Sequence, residues 1–360
     1  MNAPAPLTPT GPAEVLLSCA DLAPALAFFV GELGFRIETI FPADDPRVAS
    51  LSGYGLRLRL APGSGDPGVI RLACRAAGGE TVLTAPNGTR VELVDPDPPI
   101  EVPPLRPEFA ITRAADGSRA GEGRAGMLYR DLIPSRLGGR FIASHISIPL
   151  GGPVADWVHF HKIRFQMIFC RRGWARLVYE DQGAPFLFQA GDCVLQPPRI
   201  RHRVLESSAG FEVVEIGCPA LHETLADHDL ALPNETLAPG RDFGGQRFLH
   251  SVAARTPWTA HGAAGFERRE TGMAEATAGL ADARVIRPAG ARAFKAPPHR
   301  GEFLFGFLLE GSAALDYADA HALGPGDAFV IPAGEPWGWS GASADLALLE
   351  VILPADVSTA

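Results

Sequence analysis

The sequence predicts a mainly β protein, in which two tandem double-sheet (jelly-roll) barrels follow a small α+β module of βαβββ order. Three observations support this fold class. From Gly126 onward, short strand-forming runs alternate with Gly and Pro turns, and helix signals are few. That portion also contains an internal repeat of about 110 residues. The first 97 residues instead combine one helical segment with several short strands.

Composition excludes several classes of protein. The 360 residues suffice for two or three domains, and 46% hydrophobic with 20% charged residues argue against disorder. The net charge is −9 and no basic stripe occurs, so we expect no nucleic-acid partner. The five scattered cysteines favour free thiols. We find no secretory signal and no apolar run that could cross a membrane, so we expect a cytoplasmic protein with a small-molecule substrate.

The first folded unit is predicted at residues 13–97, after a disordered tail at 1–12. Asp21 has the character of an N-cap, and apolar residues at helical spacing extend from there to Gly34. Turn residues separate the predicted strands from one another. The predicted strands are Glu14–Ser18, Phe35–Phe41, Val48–Leu51, Leu56–Leu60, Val69–Arg75, Glu80–Leu83 and Thr89–Val94.

A Pro/Gly-rich linker is predicted at residues 98–125, and a short strand at Glu108–Thr112 could pair with a neighbouring domain. The barrels are then predicted at 126–236 and 237–357. The repeat supports this division, because two segments of the first copy have counterparts in the second. Gly173–Tyr179 parallels Gly311–Tyr317, and Gln189–Pro197 parallels Gly324–Pro332.

Histidines are the strongest functional signal. His159 and His161 are two residues apart, so on a strand they project from the same face. His202 follows a Gly-Asp turn and a Pro-Pro pair. Each histidine alone could be a polar residue with a local hydrogen bond. Together, three imidazoles that converge on one point suit a divalent first-row metal.

The two segments around these histidines resemble motifs of the cupin superfamily. The first motif is G(X)5HXH(X)3–4E(X)6G; here the histidine pair, Gln166 and Gly173 have that spacing, although Gly152 is one residue further upstream. The second motif is G(X)5PXG(X)2H(X)3N. It is matched by Gly191, Pro197 and His202, with Arg199 and Glu206 replacing the glycine and the asparagine. The resemblance covers roughly residues 126–355 and implies a bicupin fold.

The resemblance implies metal ligands at His159, His161, Gln166 and His202. It implies one divalent ion, with iron expected first and zinc, nickel, manganese or copper as alternatives. Gln166 stands where most metal cupins carry glutamate, so we expect a more cationic site. Strand parity does not bring Gln166 to the histidine face; a bend around residues 162–164 is needed. Further cavity candidates are His145, Ser147, Tyr179, Gln189 and Arg199.

The second copy has lost these ligands. Aligned on its glycine and proline, the positions equivalent to the four ligands are Pro297, His299, Leu304 and Trp337. We therefore expect a metal-free barrel, either structural or an apolar pocket that Trp337 and Trp339 help to fill.

The N-terminal unit resembles the vicinal-oxygen-chelate (glyoxalase/bleomycin-resistance) superfamily. The similar segments are Ser18–Phe29, Leu33–Phe35 and Pro86–Leu93. The second half of that module is short, and no histidine accompanies the metal positions near Glu14 and Glu92. We interpret the unit as a degenerate, metal-free module for packing or ligand gating.

Two functions remain open from sequence. The first is an oxygenase-type enzyme that acts on a small enol, diketone or aromatic substrate, with metal-dependent isomerisation or C–C cleavage as variants. The second is a non-catalytic bicupin that binds or senses a small acid or ketone. The spaced histidine set favours the enzyme. Catalytic residues are not identified, and a homodimer is left open.

Overall fold

The computed structural model describes residues 11–74, 81–116, 121–123 and 126–355. The chain divides into two compact units, residues 1–99 and 100–360. Most of the tail predicted at 1–12 lies outside the described residues. All five cysteines are free thiols. Among the described residues, none of the helices combines the length and the apolar character needed to cross a membrane.

The first unit contains two small sheets. Its elements are β1 (Val15–Ser18), α1 (Leu22–Leu26), a π-helical segment (Ala27–Glu32), β2 (Arg36–Phe41), β3 (Val48–Gly53), β4 (Leu56–Ala61), β5 (Val69–Ala73), β6 (Thr81–Thr84) and β7 (Arg90–Val94). One sheet has the order β1-β4-β3-β2, with β1 and β4 parallel. The other has the order β5-β7-β6, with β5 and β7 parallel. Residues 75–80, where the predicted strands Val69–Arg75 and Glu80–Leu83 ended and began, lie outside the described residues.

The predicted helix of this unit is confirmed at both ends. The Asp21 carboxylate accepts a hydrogen bond from the backbone N–H of Ala23 at 3.3 Å, which is the role of an N-cap. Gly34 has φ of +77°, a conformation that glycine adopts without strain. Between them, Ala25 and Phe29 are fully buried and belong to the core of this unit. The hydrophobic spacing therefore predicted both the helix and its buried face.

The second unit is built almost entirely of strands. They are β8 (Ala110–Thr112), β9 (Gly121–Glu122), β10 (Leu128–Asp131), β11 (Ile142–Ile148), β12 (Gly152–Pro153), β13 (His159–His161), β14 (Phe165–Arg172), β15 (Trp174–Tyr179), β16 (Phe186–Gln189), β17 (Cys193–Leu195), β18 (His202–Ser207), β19 (Phe211–Cys218), β20 (Thr224–Ala226), β21 (Leu249–Ser251), β22 (Thr259–Ala260), β23 (Phe266–Glu270), β24 (Asp282–Pro288), β25 (Phe294–Ala296), β26 (Phe303–Glu310), β27 (Ala313–Tyr317), β28 (Asp319–Leu323), β29 (Ala328–Val330), β30 (Trp337–Ser340) and β31 (Ala347–Leu353). The helical elements with bounds in the described part of this unit are α2 (Met273–Ala276) and 3₁₀ turns at Ala114–Asp116, Arg136–Gly138 and Ala253–Arg255.

These strands form two double-sheet barrels, which confirms the predicted fold class. The first barrel pairs a seven-stranded sheet, β21-β17-β14-β19-β11-β10-β9, with a six-stranded sheet, in which β16-β15-β18-β13-β20 follow one another and β12 also pairs with β18. In the second, a seven-stranded sheet, β22-β23-β24-β31-β26-β29-β8, faces a four-stranded sheet, β25-β30-β27-β28. The repeated segments occupy equivalent strands: β15 corresponds to β27, and β17 corresponds to β29.

The two seven-stranded sheets contribute to one hydrophobic core. Phe165 and Phe169 of β14 belong to the same buried cluster as Phe305 of β26. Phe141 and Phe303 stack across it with ring centroids 4.2 Å apart. The alternate residues of each strand face the interior of its own barrel, as for Ile168 and Leu304. The central strands are therefore buried on both faces, which explains their nearly continuous apolar sequence.

Each barrel receives an edge strand from the segment that precedes the other barrel. Strand β8 precedes the first barrel but pairs with β29 of the second. Strand β21 precedes the second barrel but pairs with β17 of the first. Aspartates at equivalent positions of the two barrels bind the backbone just after each exchanged strand. Asp327 accepts a hydrogen bond from the backbone N–H of Ala114 at 2.7 Å, and Asp192 accepts one from Ala253 at 2.9 Å.

This exchange bears on two sequence-based expectations. The short strand expected at Glu108–Thr112 is present as β8 and pairs with the second barrel, and β9 adds a strand to the first, so the segment 98–125 is more than a linker. Strand β21, which falls in the segment assigned to the second barrel, belongs to a sheet of the first. Sequence could not reveal these pairings, since strands of two or three residues have too little pattern to identify a distant partner.

The shared core predicts a large cost for its central aromatic pair. Replacing the buried Phe303 with alanine should destabilise the second unit by about 3–5 kcal/mol, because the substitution leaves a cavity where the ring stacks on Phe141. Urea unfolding of the full chain measures the change. Leu221→Ala, at a position 78% exposed, is the matched control and should change stability little. Equal effects of the two substitutions would contradict a shared core.

Candidate metal centre

Three histidine side chains converge inside the first barrel. His159 and His161 project from β13 into the barrel, and His202 begins β18 directly opposite His159. All three are buried. Their candidate ligand atoms lie within 4.8 Å of one another. Within the described ranges, this is the only group of three or more His, Cys, Asp or Glu residues arranged to hold a metal ion.

Backbone carbonyls fix the tautomer of all three rings. The Nδ1 atom of His159 donates to the Trp157 carbonyl at 2.8 Å, and that of His202 donates to the Ile200 carbonyl at 3.0 Å. His161 Nδ1 donates to the Glu223 carbonyl at 3.2 Å. Because a carbonyl can only accept, each Nδ1 carries a proton, and in the neutral imidazole each Nε2 then keeps its lone pair. This outer hydrogen bonding is what metal-binding imidazoles require.

A buried carboxylate lies behind the first histidine. The Asp156 side chain is fully buried, and its Oδ1 lies 3.6 Å from Nδ1 of His159. Backbone N–H groups of Trp157 and Val204 donate to it, each at 3.0 Å. A negative charge at this point makes the imidazole a stronger ligand. Sequence analysis missed Asp156, although an aspartate three residues before a histidine pair could have suggested it.

Gln166 reaches the same cavity from the other sheet. The strand structure is interrupted between β13 and β14, so the bend expected at 162–164 is present. The Gln166 Nε2 atom donates to Oε1 of Glu215 at 2.8 Å. This hydrogen bond leaves the amide oxygen as the atom available to a metal. Gln166 thus lines the cavity with the histidines.

Glu215 changes the electrostatic picture of the site. We expected a site without a carboxylate, yet Glu215 lines the cavity beside Gln166. It lies on β19, where Phe211, Val213 and Glu215 alternate on the inward face. A charged residue in an apolar alternation is a signal that sequence analysis could have used. The carboxylate that Gln166 lacks is therefore supplied by its hydrogen-bond partner, Glu215.

Gln196 forms a hydrogen bond with the nitrogen of the third histidine that a metal would need. Its Nε2 lies 2.7 Å from Nε2 of His202, which accepts the hydrogen bond because Nδ1 is the protonated nitrogen. The Oε1 atom of Gln196 is buried without a hydrogen-bond partner among the described residues. Rotation of this amide would release His202 and bring an unpartnered oxygen toward the same point. The donor set as a whole fits a divalent cation.

The cavity around these groups has a volume of about 80 Å³. Its walls are mostly apolar and include Met127, Ile146, Ile148, Ile168, Leu177, Phe188, Val204, Phe211 and Val213. Tyr179 stacks on His202 with ring centroids 5.4 Å apart. Burial and the nearby Glu215 raise the pKa of Tyr179, so the phenol stays protonated. The apolar walls strengthen every electrostatic interaction within the cavity.

Only one of the further candidates named from sequence faces this cavity, namely Tyr179. His145 lies on the opposite face of β11, where its Nε2 contacts Glu212 at 3.0 Å; burial lowers the pKa of His145. Ile146 and Ile148 line the cavity in place of His145 and Ser147, so that assignment was wrong. Gln189 is exposed, and Arg199 is absent from the lining. Strand parity showed that His145 and Ser147 share a face of β11, but it did not show which face of that strand lines the cavity.

Comparison with known proteins agrees with this architecture. Residues 283–352, within the second barrel, match the family model "Cupin domain". The fold is a tandem pair of cupin barrels. Among solved structures, it is similar to a protein from Pseudomonas aeruginosa described as glyoxylate-induced, at 13% identity and a TM-score of 0.52, over 73% of this chain and 96% of that one.

A second similar structure is salicylate 1,2-dioxygenase from Pseudaminobacter salicylatoxidans, at 15% identity and a TM-score of 0.50, over 70% of this chain and 86% of that one. A mutant of that enzyme in complex with gentisate matches at 16% identity and a TM-score of 0.50, over 70% of this chain and 84% of that one. Comparison with curated protein sequences finds no significant match. At these identities the similarity concerns the fold.

The buried carboxylate behind His159 gives a first prediction. Asp156→Asn should weaken metal affinity by about 10- to 100-fold, since it removes the outer charge that supports the imidazole. His161→Ala should lose nearly all bound metal. Elemental analysis and chelator competition measure both effects. Asp229→Asn removes an exposed carboxylate of the same barrel and should bind metal like the parent protein. Parental metal content in His161→Ala would exclude this centre.

The contact between Gln166 and Glu215 gives a second prediction. Gln166→Glu should bind a divalent metal more tightly, because it adds a ligand charge. The metal-free variant should melt at a lower temperature, because two carboxylates then face each other where a 2.8 Å hydrogen bond was. Chelator competition and thermal unfolding test the two parts. Gln166→Met, which has neither charge nor amide, is the control. Unchanged or weaker affinity in Gln166→Glu would mean that residue 166 does not contact the metal.

Proposed function

We propose that the first cupin barrel is the metal centre of an oxygenase-type enzyme that acts on a small enol, diketone or aromatic substrate. The observation that carries the proposal is the set of three imidazoles whose Nδ1 atoms are all held by carbonyls, so that three Nε2 lone pairs share one cavity. His159, His161 and His202 would hold the ion, with Gln166 as a variable fourth ligand. Imidazole ligands suit several first-row metals; the resemblance to cupins puts iron first, with zinc, nickel, manganese or copper as alternatives.

A bound divalent ion would supply a Lewis acid for a substrate oxygen and, if redox-active, a means to use dioxygen. The chain supplies the proton chemistry. Glu215 is positioned to accept a proton from an enol or phenol hydroxyl, which leaves the substrate as an oxyanion and the carboxyl neutral. Gln166 holds that carboxylate through its amide N–H. Tyr179 remains protonated and restrains His202 by stacking.

The size of the cavity bears on the substrate. One water molecule needs about 10–15 Å³ of this type of volume. If each non-hydrogen atom of a substrate needs the same, a cavity of about 80 Å³ accepts roughly five to eight of them. This favours enol acids and small diketones over larger aromatic substrates, which would require the walls to move. Salicylate 1,2-dioxygenase, whose mutant binds gentisate, is a structural relative named for aromatic hydroxy acids, which are larger than this cavity accepts without movement of its walls. Small, oxygen-rich substrates are therefore the first to test.

A metal-free binding function is the second candidate. The hydrogen bond from Gln196 to His202 satisfies one imidazole without a metal, which favours a protein that binds or senses a small acid or ketone. Metal content separates the two functions. Stoichiometric iron with substrate-dependent oxygen consumption supports the enzyme. A protein purified without metal that still binds the small molecule supports the second candidate, and metal-dependent isomerisation or cleavage without oxygen uptake identifies a lyase or isomerase.

We further propose that residues 13–97 form a reduced vicinal-oxygen-chelate-like module that holds no metal. The sheet order β1-β4-β3-β2, with a helix between β1 and β2, supports this interpretation. The two candidate carboxylates are engaged by arginines: Glu14 lies 3.7 Å from Arg59, and Glu92 lies 3.0 Å from Arg90. A chain that lacks residues 1–97 should retain nearly all of its metal. Loss of the metal in that chain would overturn the division of roles.

The role of Glu215 gives a third prediction. Glu215→Gln should lower kcat/KM for oxygen uptake by about 10²- to 10⁴-fold while metal content stays near that of the parent, because the carboxylate acts on the substrate. An oxygen electrode and elemental analysis measure the two quantities. Glu206→Gln, which removes a carboxylate at the barrel surface, is the matched control and should keep parental turnover. Loss of metal in Glu215→Gln would instead make Glu215 a ligand.

A further inference from the structure

The second barrel has a cavity at the position that holds the histidines in the first. Pro297, His299, Leu304 and Trp337, the positions equivalent to the four candidate ligands, all line it. Leu304 pairs with Ile352 across β26 and β31, as Gln166 pairs with Gly217 across β14 and β19. This cavity has a volume of about 360 Å³, against about 80 Å³ in the first barrel. The loss of the ligands has left a larger space.

The carboxylate of the first site is retained there. Glu350 of β31 pairs with Gly306 of β26, as Glu215 of β19 pairs with Ile168 of β14. Its cross-strand neighbour on β24 is Arg284, whereas the first barrel has Ser144 at that place. The Arg284 Nε donates to Glu350 at 2.8 Å, and Glu350 is only 4% exposed. The second barrel therefore has an arginine, Arg284, at the position where the first barrel has a serine.

The remaining lining adds positive charge and aromatic surface. Lys295, one of two lysines in the chain, lies at the edge of the cavity: it is exposed, between Phe294 and Ala296 of β25, which pack inward, and the described residues provide it with no ion pair. Phe294 and Trp337 line it with ring centroids 5.9 Å apart. His299 donates from Nε2 to the Ile331 carbonyl at 2.9 Å, and its buried Nδ1 has no hydrogen-bond partner among the described residues. A buried polar atom without a partner is uncommon in a complete core.

The charges that line this cavity select the class of ligand. Arg284 and Glu350 form an ion pair that is neutral overall, so the net positive charge comes from Lys295 at the edge of the cavity. Burial lowers the pKa values of His261 and His299, so both imidazoles are neutral at pH 7. Asp282, 3.9 Å from Arg284, does not line the cavity. The lining therefore favours an anion, and its aromatic wall favours an apolar body attached to that anion.

We propose that the second cupin barrel is a metal-independent binding site for a small organic acid, in which a carboxylate meets Lys295 and Arg284 and an apolar body packs against Phe294 and Trp337. The site is separate from the histidine cavity and needs no metal. It gives the degenerate barrel a ligand of its own. A carboxylate that pairs with a lysine and an arginine gains charge-assisted hydrogen bonds from both.

Benzoate is the probe for this site, and the full-length His161→Ala variant is the background, because it removes metal-dependent binding in the first barrel. Isothermal titration and tryptophan fluorescence should show one saturable benzoate site per chain. Lys295→Met and Trp337→Leu should each weaken that binding at least tenfold. Arg292→Met, which removes a positive charge three residues from Lys295 and outside the cavity, should not. Lys295 is exposed, so its replacement leaves the fold intact.

Benzyl alcohol, a neutral analogue of similar shape, tests the charge requirement and should bind at least tenfold more weakly than benzoate. Equal affinity for the two probes would overturn a carboxylate site. Absence of saturable benzoate binding, or parental affinity in Lys295→Met, would overturn the proposal as well. Because every measurement is made without a metal in the first barrel, these outcomes are independent of whether the proposed oxygenase activity exists.

Discussion

The packing of the two seven-stranded sheets against each other determines the rest of the second unit. Because this contact buries the outer face of β14 and β26, each of those strands is surrounded by apolar side chains on both faces. A slip of one residue in β14 would place Gln166 in the core beside Phe303 and remove Phe165 from it. The register is therefore strongly fixed, and with it the position of the one polar group that β14 presents to the cavity.

The same arrangement lets two sheets contribute different chemistry to one point. The six-stranded sheet supplies all three imidazoles through β13 and β18, and the seven-stranded sheet adds Gln166 and Glu215 on the other side of the cavity. The backbone carbonyls that hold the imidazole rings belong to ordered segments of the barrel, so the rings are oriented before any ligand arrives.

The sequence predicted the fold class and the convergence of His159, His161 and His202, because motif spacing and strand parity act over short distances. Parity failed at His145, since His145 and Ser147 are themselves half-buried and the alternation along β11 does not show which of its two faces lines the cavity. Glu215 escaped notice although the repeat extends to it: Phe211–Ala220 and Leu346–Ala355 share a glutamate and a Pro-Ala end at the same offsets. The pairing of β8 and β21 depends on tertiary contacts that no local pattern encodes.

The exchanged strands have a consequence for the history and handling of this chain. Strand β8 completes the barrel that lies further along the sequence, and β21 completes the barrel already formed, so neither repeat is self-sufficient. The arrangement is that of a domain-swapped pair carried on one polypeptide. A cut between the repeats would yield two fragments, each with an unpaired sheet edge and a strand that fits the other fragment. Such fragments are suited to reassembly by complementation, and the interval between the barrels is the natural place to divide the chain.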